Sequence, residues 1–103
     1  MRKQTKACSI PKRVKEIVWE RDGGVCAVCG SPNAAPVAHY IARSQGGLGI
    51  PENIVTLCPD CHRAYDQSDS RQWYRAVLRR YLKSKYPDWD ERKLVYRKYG
   101  DET

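Results

Sequence analysis

Two pairs of cysteines in C-x-x-C spacing, Cys26/Cys29 and Cys58/Cys61, can supply four thiolate ligands to one tetrahedral zinc ion. The pairs are separated by 28 residues, which is longer than the roughly 15 to 20 of the common zinc-ribbon spacing. In a reducing compartment, cysteines at this spacing bind metal more often than they form disulfides. We therefore expect a structural Zn²⁺ bound by all four cysteines.

The two histidines of the chain are not needed for that zinc site. His39 lies in an apolar run that predicts a strand over Val37 to Ala42, and Asn53 begins a second predicted strand that ends at Leu57. A hairpin of these strands would bring the Asn53 amide toward the imidazole of His39 and fix the orientation of the ring. An imidazole held in this way suits a general base, although a strand histidine taken alone is more often structural.

His62 follows the last cysteine directly, on a helix that Pro59 begins. Asp66 is four residues further on and shares a helix face with His62, so the two side chains can bind one divalent cation. On spacing alone, an ordinary exposed Asp66, or one paired with Arg63, is an equally good interpretation.

The net charge of +7 is distributed unevenly along the 103 residues. Residues 1–21 carry +5, residues 22–69 carry −3 and residues 70–103 carry +5. Basic arms around a metal-rich centre suit a polyanion such as DNA, although exposed helices explain the same charge. The basic candidates for DNA contact lie within or after the predicted metal region: Arg43, Arg63, Arg71, Arg75, Arg79 and Lys83.

One α+β domain over residues 1–103 accounts for the whole pattern. The core spans about 21–67, a helix over about 11–21 precedes it, and helices follow over about 70–99. The first helix buries Val14, Ile17 and Val18 in this prediction. The helix after Ser70 has a broad apolar face, and Asp88 with Glu91 predicts the start of a last helix through Tyr99. The residues of the broad face are Trp73, Tyr74, Val77, Leu78, Tyr81 and Leu82.

A basic stripe on that helix has a charged residue at every fourth position: Arg71, Arg75, Arg79 and Lys83. Like charges at this spacing repel one another, so a bound polyanion would relieve the repulsion. We find neither a leader-like apolar run nor a membrane-spanning stretch in the sequence, and the odd number of cysteines argues against a disulfide framework. We therefore expect a cytoplasmic location without membrane contact, with Cys8 as a bystander thiol.

The ordered motifs together resemble the zinc-containing HNH endonucleases of phages and prophages. The resemblance runs from about Arg21 to Asp66. It consists of R-D-G-G-V-C-x-x-C from Arg21, A-H-Y from Ala38, R-S-x-G-G from Arg43 and N-I-V-x-L-C-x-x-C-H from Asn53. Such a resemblance implies a ββα-metal (His-Me finger) core, here clasped by the four-cysteine zinc site. It also implies that the cytoplasm is that of a bacterial or phage-infected cell.

The resemblance also implies roles for three residues. His39 would activate the water that attacks the scissile phosphate, Asn53 would position the elements around it, and His62 would bind a catalytic divalent ion. The products would carry 5′-phosphate and 3′-hydroxyl ends. Many family members have Asp or His before the general base as a further ligand, whereas this chain has Ala38. The ion, Mg²⁺, Mn²⁺ or Ni²⁺, would then depend on His62, Asp66, waters and the DNA phosphate.

Two other functions fit the same residues. The chain could be a non-catalytic zinc module that binds DNA or a protein, or an accessory of a larger machine such as one for phage DNA packaging. A binding module has no use for an oriented imidazole, so His39 distinguishes it from a nuclease.

Overall fold

The structure is a computed structural model that describes residues 7–96. The α-helices and strands follow in the order α1 (Lys12–Arg21), β1 (Ala35–His39), β2 (Ile54–Leu57), α2 (Pro59–Gln67) and α3 (Arg71–Lys85). Short 3₁₀ helices cover Arg43–Gln45, Pro51–Asn53 and Glu91–Lys93. The α+β class and the order strand, loop, strand, helix are confirmed.

The two strands form an antiparallel hairpin in which Ala38 pairs with Val55 and His39 pairs with Ile54. β2 is buried on both faces because alternate residues point to opposite sides of a strand. Ile54 packs against α1, whereas Val55 and Leu57 join the main core. β1 ends at His39, earlier than the predicted Ala42. The residues that follow His39 therefore belong to the loop between the two strands.

Helix α1 begins after Pro11, whose fixed φ of −62° suits a helix start, and ends at Arg21, before Asp22 and two glycines with positive φ. Val14 and Val18 are buried, but Ile17 is 49% exposed. The predicted apolar face was therefore too wide, because Ile17 lies at its outer edge. The buried face of α3 is also narrower than the predicted apolar face: Leu78 and Leu82 are fully buried, whereas Trp73 is 57% exposed.

A buried ion pair joins the end of α1 to the rest of the core. The Arg21 guanidinium donates to the Asp22 carboxylate at 2.7 and 3.1 Å and to the carbonyl oxygens of Pro51 and Ile54, each at 2.7 Å. Asp22 also accepts from the Thr56 N–H at 2.9 Å. Burial raises the pKa of Asp22, but Arg21 and the other donors outweigh it and hold this pKa below its usual range. Arg21 and Asp22, the two residues of the R-D motif before the first cysteine, therefore stabilise the packing of α1 against the core.

The predicted last helix is wrong for the residues that the structure describes. Only the 3₁₀ turn Glu91–Lys93 forms, and it is capped by Asp90, whose side chain accepts from the Arg92 N–H. The chain then becomes extended, and Val95 forms an antiparallel bridge with Gly47. Bonding to the loop after β1 thus competes successfully with a helix, and Tyr99 lies outside the described residues.

Within the described range, 7–96, each helix is too short or too polar to cross a bilayer.

Candidate active site and metal centre

The four predicted cysteines come together in one cluster. Cys26 and Cys29 lie in the loop after α1, Cys58 caps the N-terminus of α2, and Cys61 lies in its first turn. All four Sγ atoms lie within 4.8 Å of one another, and those of Cys29 and Cys58 are 3.6 Å apart. Thiolates about 2.3 Å from a tetrahedral zinc ion are roughly 3.8 Å apart, so the cluster fits a structural zinc site.

Backbone donors near the sulfur atoms favour the thiolate form of Cys26. The N–H of Cys29 donates to Cys26 Sγ at 3.5 Å, and the N–H of Cys61 donates to Cys58 Sγ at 3.4 Å. Burial raises the pKa of Cys26, but backbone N–H groups outweigh burial and lower it to about 7. The hydroxyl of Tyr74 on α3 also lies 3.8 Å from Cys61 Sγ, so α3 contacts the cluster.

An open cavity of about 760 Å³ lies between the end of β1, the following loop and helices α2 and α3. His39, His62 and Asp66 all line it, as do three of the six predicted DNA-contacting residues, Arg43, Arg71 and Arg75. Arg63 is exposed on α2, while Arg79 and Lys83 border a different, shallower depression. The sequence therefore identified most of the charged wall of this cavity.

His39 is half-buried, and its ring is oriented by a backbone group. Its Nε2 lies 2.8 Å from the carbonyl oxygen of Cys8, and because a carbonyl can only accept, Nε2 carries the proton. In the neutral ring Nδ1 is then the unprotonated nitrogen. Burial lowers the pKa of His39, the Cys8 carbonyl partly offsets this, and the charges of Arg43 and His62 lower it further. A neutral imidazole is therefore favoured near pH 7.

Asn53 is completely buried, but its side chain does not orient His39 in the way the sequence suggested. Its Oδ1 accepts from the Ile41 N–H at 2.8 Å, and its Nδ2 donates to the carbonyl oxygens of Ile41 at 3.2 Å and Leu48 at 2.9 Å. These three bonds use the amide on the loop after β1. The expected contact with the imidazole is therefore wrong: Asn53 holds the loop that carries Arg43, and the Cys8 carbonyl bonds to the ring.

His62 and Asp66 share the predicted face of α2. His62 Nε2 lies 3.8 Å from Asp66 Oδ2, and the two side chains are 35% and 60% exposed. Two ligands of one ion at about 2.1 Å lie roughly 3 to 4 Å apart, so this pair fits a shared divalent ion. Ala38 is fully buried in the core and offers no ligand. Among residues 7–96, the four cysteines are the sole cluster of three or more metal-ligating side chains.

The basic stripe on α3 is partly neutralised within the chain. Glu91 accepts from Arg75 at 3.0 Å and from Arg79 at 3.1 Å, and it also accepts from the Tyr40 hydroxyl. The guanidinium of Arg75 lies over the Tyr40 ring, 4.9 Å from its centroid. The repulsion expected along the stripe is therefore relieved at these two arginines by Glu91.

Sequence reasoning missed two contributors to this site. Cys8 is 2% exposed, and its backbone carbonyl, rather than its thiol, bonds to His39, a contact that no residue type reveals. Tyr65 donates its hydroxyl to the Tyr40 carbonyl at 2.5 Å and thereby ties α2 to the residue after His39. The sequence did offer a signal for Tyr65, because a tyrosine three residues after His62 lies on the buried face of α2.

The hairpin of β1 and β2 and helix α2 form a ββα unit next to the cysteine cluster, and its two histidines line one cavity. Residues 26–68 match the family model of the HNH endonucleases. The resemblance seen in the sequence is thereby confirmed at the level of the family.

Two curated proteins are similar to this chain. EcoKMcrA, a type IV methyl-directed restriction enzyme of Escherichia coli (strain K12), is 37% identical over 60 residues, covering 48% of this chain and 21% of that enzyme. Anaredoxin of Nostoc sp. (strain PCC 7120) is 38% identical over 45 residues, covering 43% of this chain and 59% of that protein. The chain thus spans about a fifth of the first relative and under three fifths of the second.

Proposed function

We propose that this protein is a metal-dependent DNA endonuclease that hydrolyses phosphodiester bonds. The observation that carries the proposal is the shared cavity: His39, His62, Asp66 and Arg43 line one open space in a domain of the HNH family. The similarity to a restriction enzyme supports DNA as the substrate.

His39 is the general base in this proposal. Its Nε2 carries the ring proton and donates a hydrogen bond to the Cys8 carbonyl. Nδ1 is then left to take a proton from the attacking water. The lowered pKa supports this role because it keeps the ring unprotonated at neutral pH. Asn53 contributes by holding the loop that begins directly after β1, so its role is positional.

His62 and Asp66 would hold the catalytic divalent ion, with waters and a DNA phosphate oxygen as the remaining ligands. When bound, the ion supplies charge that polarises the phosphate and stabilises the leaving oxygen. Two protein ligands imply weak affinity without DNA, as expected for Mg²⁺ or Mn²⁺, while the imidazole also suits Ni²⁺.

The cavity arginines would bind the DNA backbone near the reacting phosphate. Arg43 and Arg71 are exposed, and Arg75 is held at the wall by Tyr40 and Glu91. Arg63, Arg79 and Lys83 extend the basic surface outward, and such contacts to phosphates position DNA without reading its sequence.

The test is cleavage of supercoiled plasmid by protein that keeps its structural zinc but has been stripped of weakly bound ions. Adding Mg²⁺, Mn²⁺ or Ni²⁺ should restore cleavage, His39→Ala should lower the rate by roughly 10² to 10⁴-fold, and Asp66→Asn should raise the ion concentration required. Asp69→Asn is the matched control, because Asp69 is an exposed acid beyond the end of α2. The rate should fall on the acid side with a pKa below the ordinary 6.5 of histidine.

A second candidate is a zinc module that binds DNA or a protein without cutting. The alanine at position 38 favours it, because its methyl side chain cannot bind an ion and the ion site lacks a third protein ligand. DNA binding without cleavage under any ion, unchanged in His39→Ala, would support this candidate and refute the nuclease. Cleavage that requires a partner, such as a phage packaging protein, would instead indicate an accessory subunit.

A further inference from the structure

The wall of the cavity extends beyond the part of the chain that matches the family. The match begins at residue 26, whereas the N-terminal segment, residues 7–10, supplies Ser9 and Ile10 to the cavity. We propose that this segment is a working part of the active site and that the Cys8 carbonyl positions the general base. The inference deepens the proposed function and rests on it.

Three contacts fasten the N-terminal segment in place. The Cys8 carbonyl accepts from His39 Nε2 at 2.8 Å, and the Ala7 carbonyl accepts from the Gly49 N–H at 3.0 Å. Ile10 packs against the cluster of Val14, Val18 and Ile54. The segment is thus bonded both to the general base and to the loop between the strands.

Gly49 gives independent evidence for this close fit. A Cβ atom at position 49 would lie 1.9 Å from the Ser9 carbonyl oxygen and 2.6 Å from the Ser9 carbonyl carbon. Gly49 is not among the glycines with positive φ, so its backbone angle does not require glycine. The requirement is the close approach of the N-terminal segment to the backbone of Gly49.

The chemical consequence concerns the tautomer of His39. A carbonyl bonded to Nε2 stabilises the ring form in which Nδ1 is the base, and it also stops the ring from turning over. Without the segment either nitrogen could carry the proton, so only part of the population would present a base to the attacking water. Cys8 therefore acts as a positioning residue through its backbone.

The experiment compares Gly49→Ala with the unchanged, zinc-loaded full chain. ¹⁵N NMR of the imidazole rings distinguishes protonated from unprotonated nitrogens, and with two histidines in the chain a His62→Gln variant assigns them. We expect a single Nε2–H tautomer for His39 in the unchanged chain and a mixture in Gly49→Ala. Single-turnover cleavage should slow by roughly 10 to 100-fold, within what a general base supplies, while Kd for DNA changes less than about threefold.

A second pair of variants covers the case in which Gly49→Ala does not fold. Ile10→Ala loosens the segment without a clash, and Leu82→Ala removes buried side-chain atoms from the main core, a cluster separate from the one against which Ile10 packs. The inference requires a mixed His39 tautomer and slower cleavage in Ile10→Ala but not in Leu82→Ala. A single tautomer with full activity in Gly49→Ala, or equal effects at Ile10 and Leu82, would overturn it. If the unchanged chain does not cut DNA, the proposed function fails, and the NMR comparison still decides whether the segment holds the ring.

Discussion

Replacing Asn53 by alanine should destabilise the protein more than it impairs the chemistry directly. The change removes three hydrogen bonds, to the N–H and carbonyl of Ile41 and to the carbonyl of Leu48. A buried polar group without a partner costs about 1 to 3 kcal/mol. The N–H and carbonyl groups of Ile41 are buried, whereas the bond to Leu48 is partly exposed. With about 2 kcal/mol for each buried group of Ile41 and less for the Leu48 carbonyl, we expect the free energy of unfolding to fall by about 3 to 5 kcal/mol.

The assay is urea unfolding of zinc-loaded protein at pH 7, with cleavage measured at a temperature where the variant remains folded. Asn33→Ala is the matched control because Asn33 is the other asparagine of the chain and is exposed. We expect less than about 0.5 kcal/mol for this surface change. A loss below about 1 kcal/mol in Asn53→Ala, combined with a loss of cleavage as complete as in His39→Ala, would refute the positional role and indicate that the amide takes part in the reaction itself.

Two further predictions concern charges outside the histidine pair. Asp22→Asn should lower the free energy of unfolding by about 3 to 5 kcal/mol in urea titration, because it leaves the buried Arg21 guanidinium without its counter-charge. Asp69→Asn is the exposed control. An equal, small effect of both changes would contradict the internal role of the Arg21–Asp22 pair. Glu91→Gln should tighten DNA binding and steepen its salt dependence by about one to two counterions, since Arg75 and Arg79 lose their partner. Fluorescence anisotropy across a salt series measures this, and Glu20→Gln, which raises the net charge equally on α1, should have the smaller effect; equal changes would mean that only net charge matters.

The sequence predicted those parts of the site that depend on residue type and short spacing. The cysteine pairs, the two histidines and the start of α2 at Pro59 are of this kind, because a metal ion or a helix imposes the spacing locally. The roles of Asn53 and Glu91 were not predictable in the same way. Each depends on where a loop or a chain end returns to the core, and the extended segment that pairs with Gly47 replaced a helix that local pattern alone favoured.

The two histidines reach the cavity through different constraints, and this explains why so much of the chain outside the motif is needed. His62 is fixed by α2, whose first turn is anchored by the cysteine cluster and whose far side is tied to Tyr40 through Tyr65. His39 stands at the end of β1, where the ladder stops and the Cys8 carbonyl bonds to the ring. In the proposed nuclease, where His39 presents a base and His62 faces an ion, the cavity needs both constraints at once. The zinc cluster supplies only the first, so the arrangement of the whole site depends on the N-terminal segment and the Asn53-bound loop as much as on the metal.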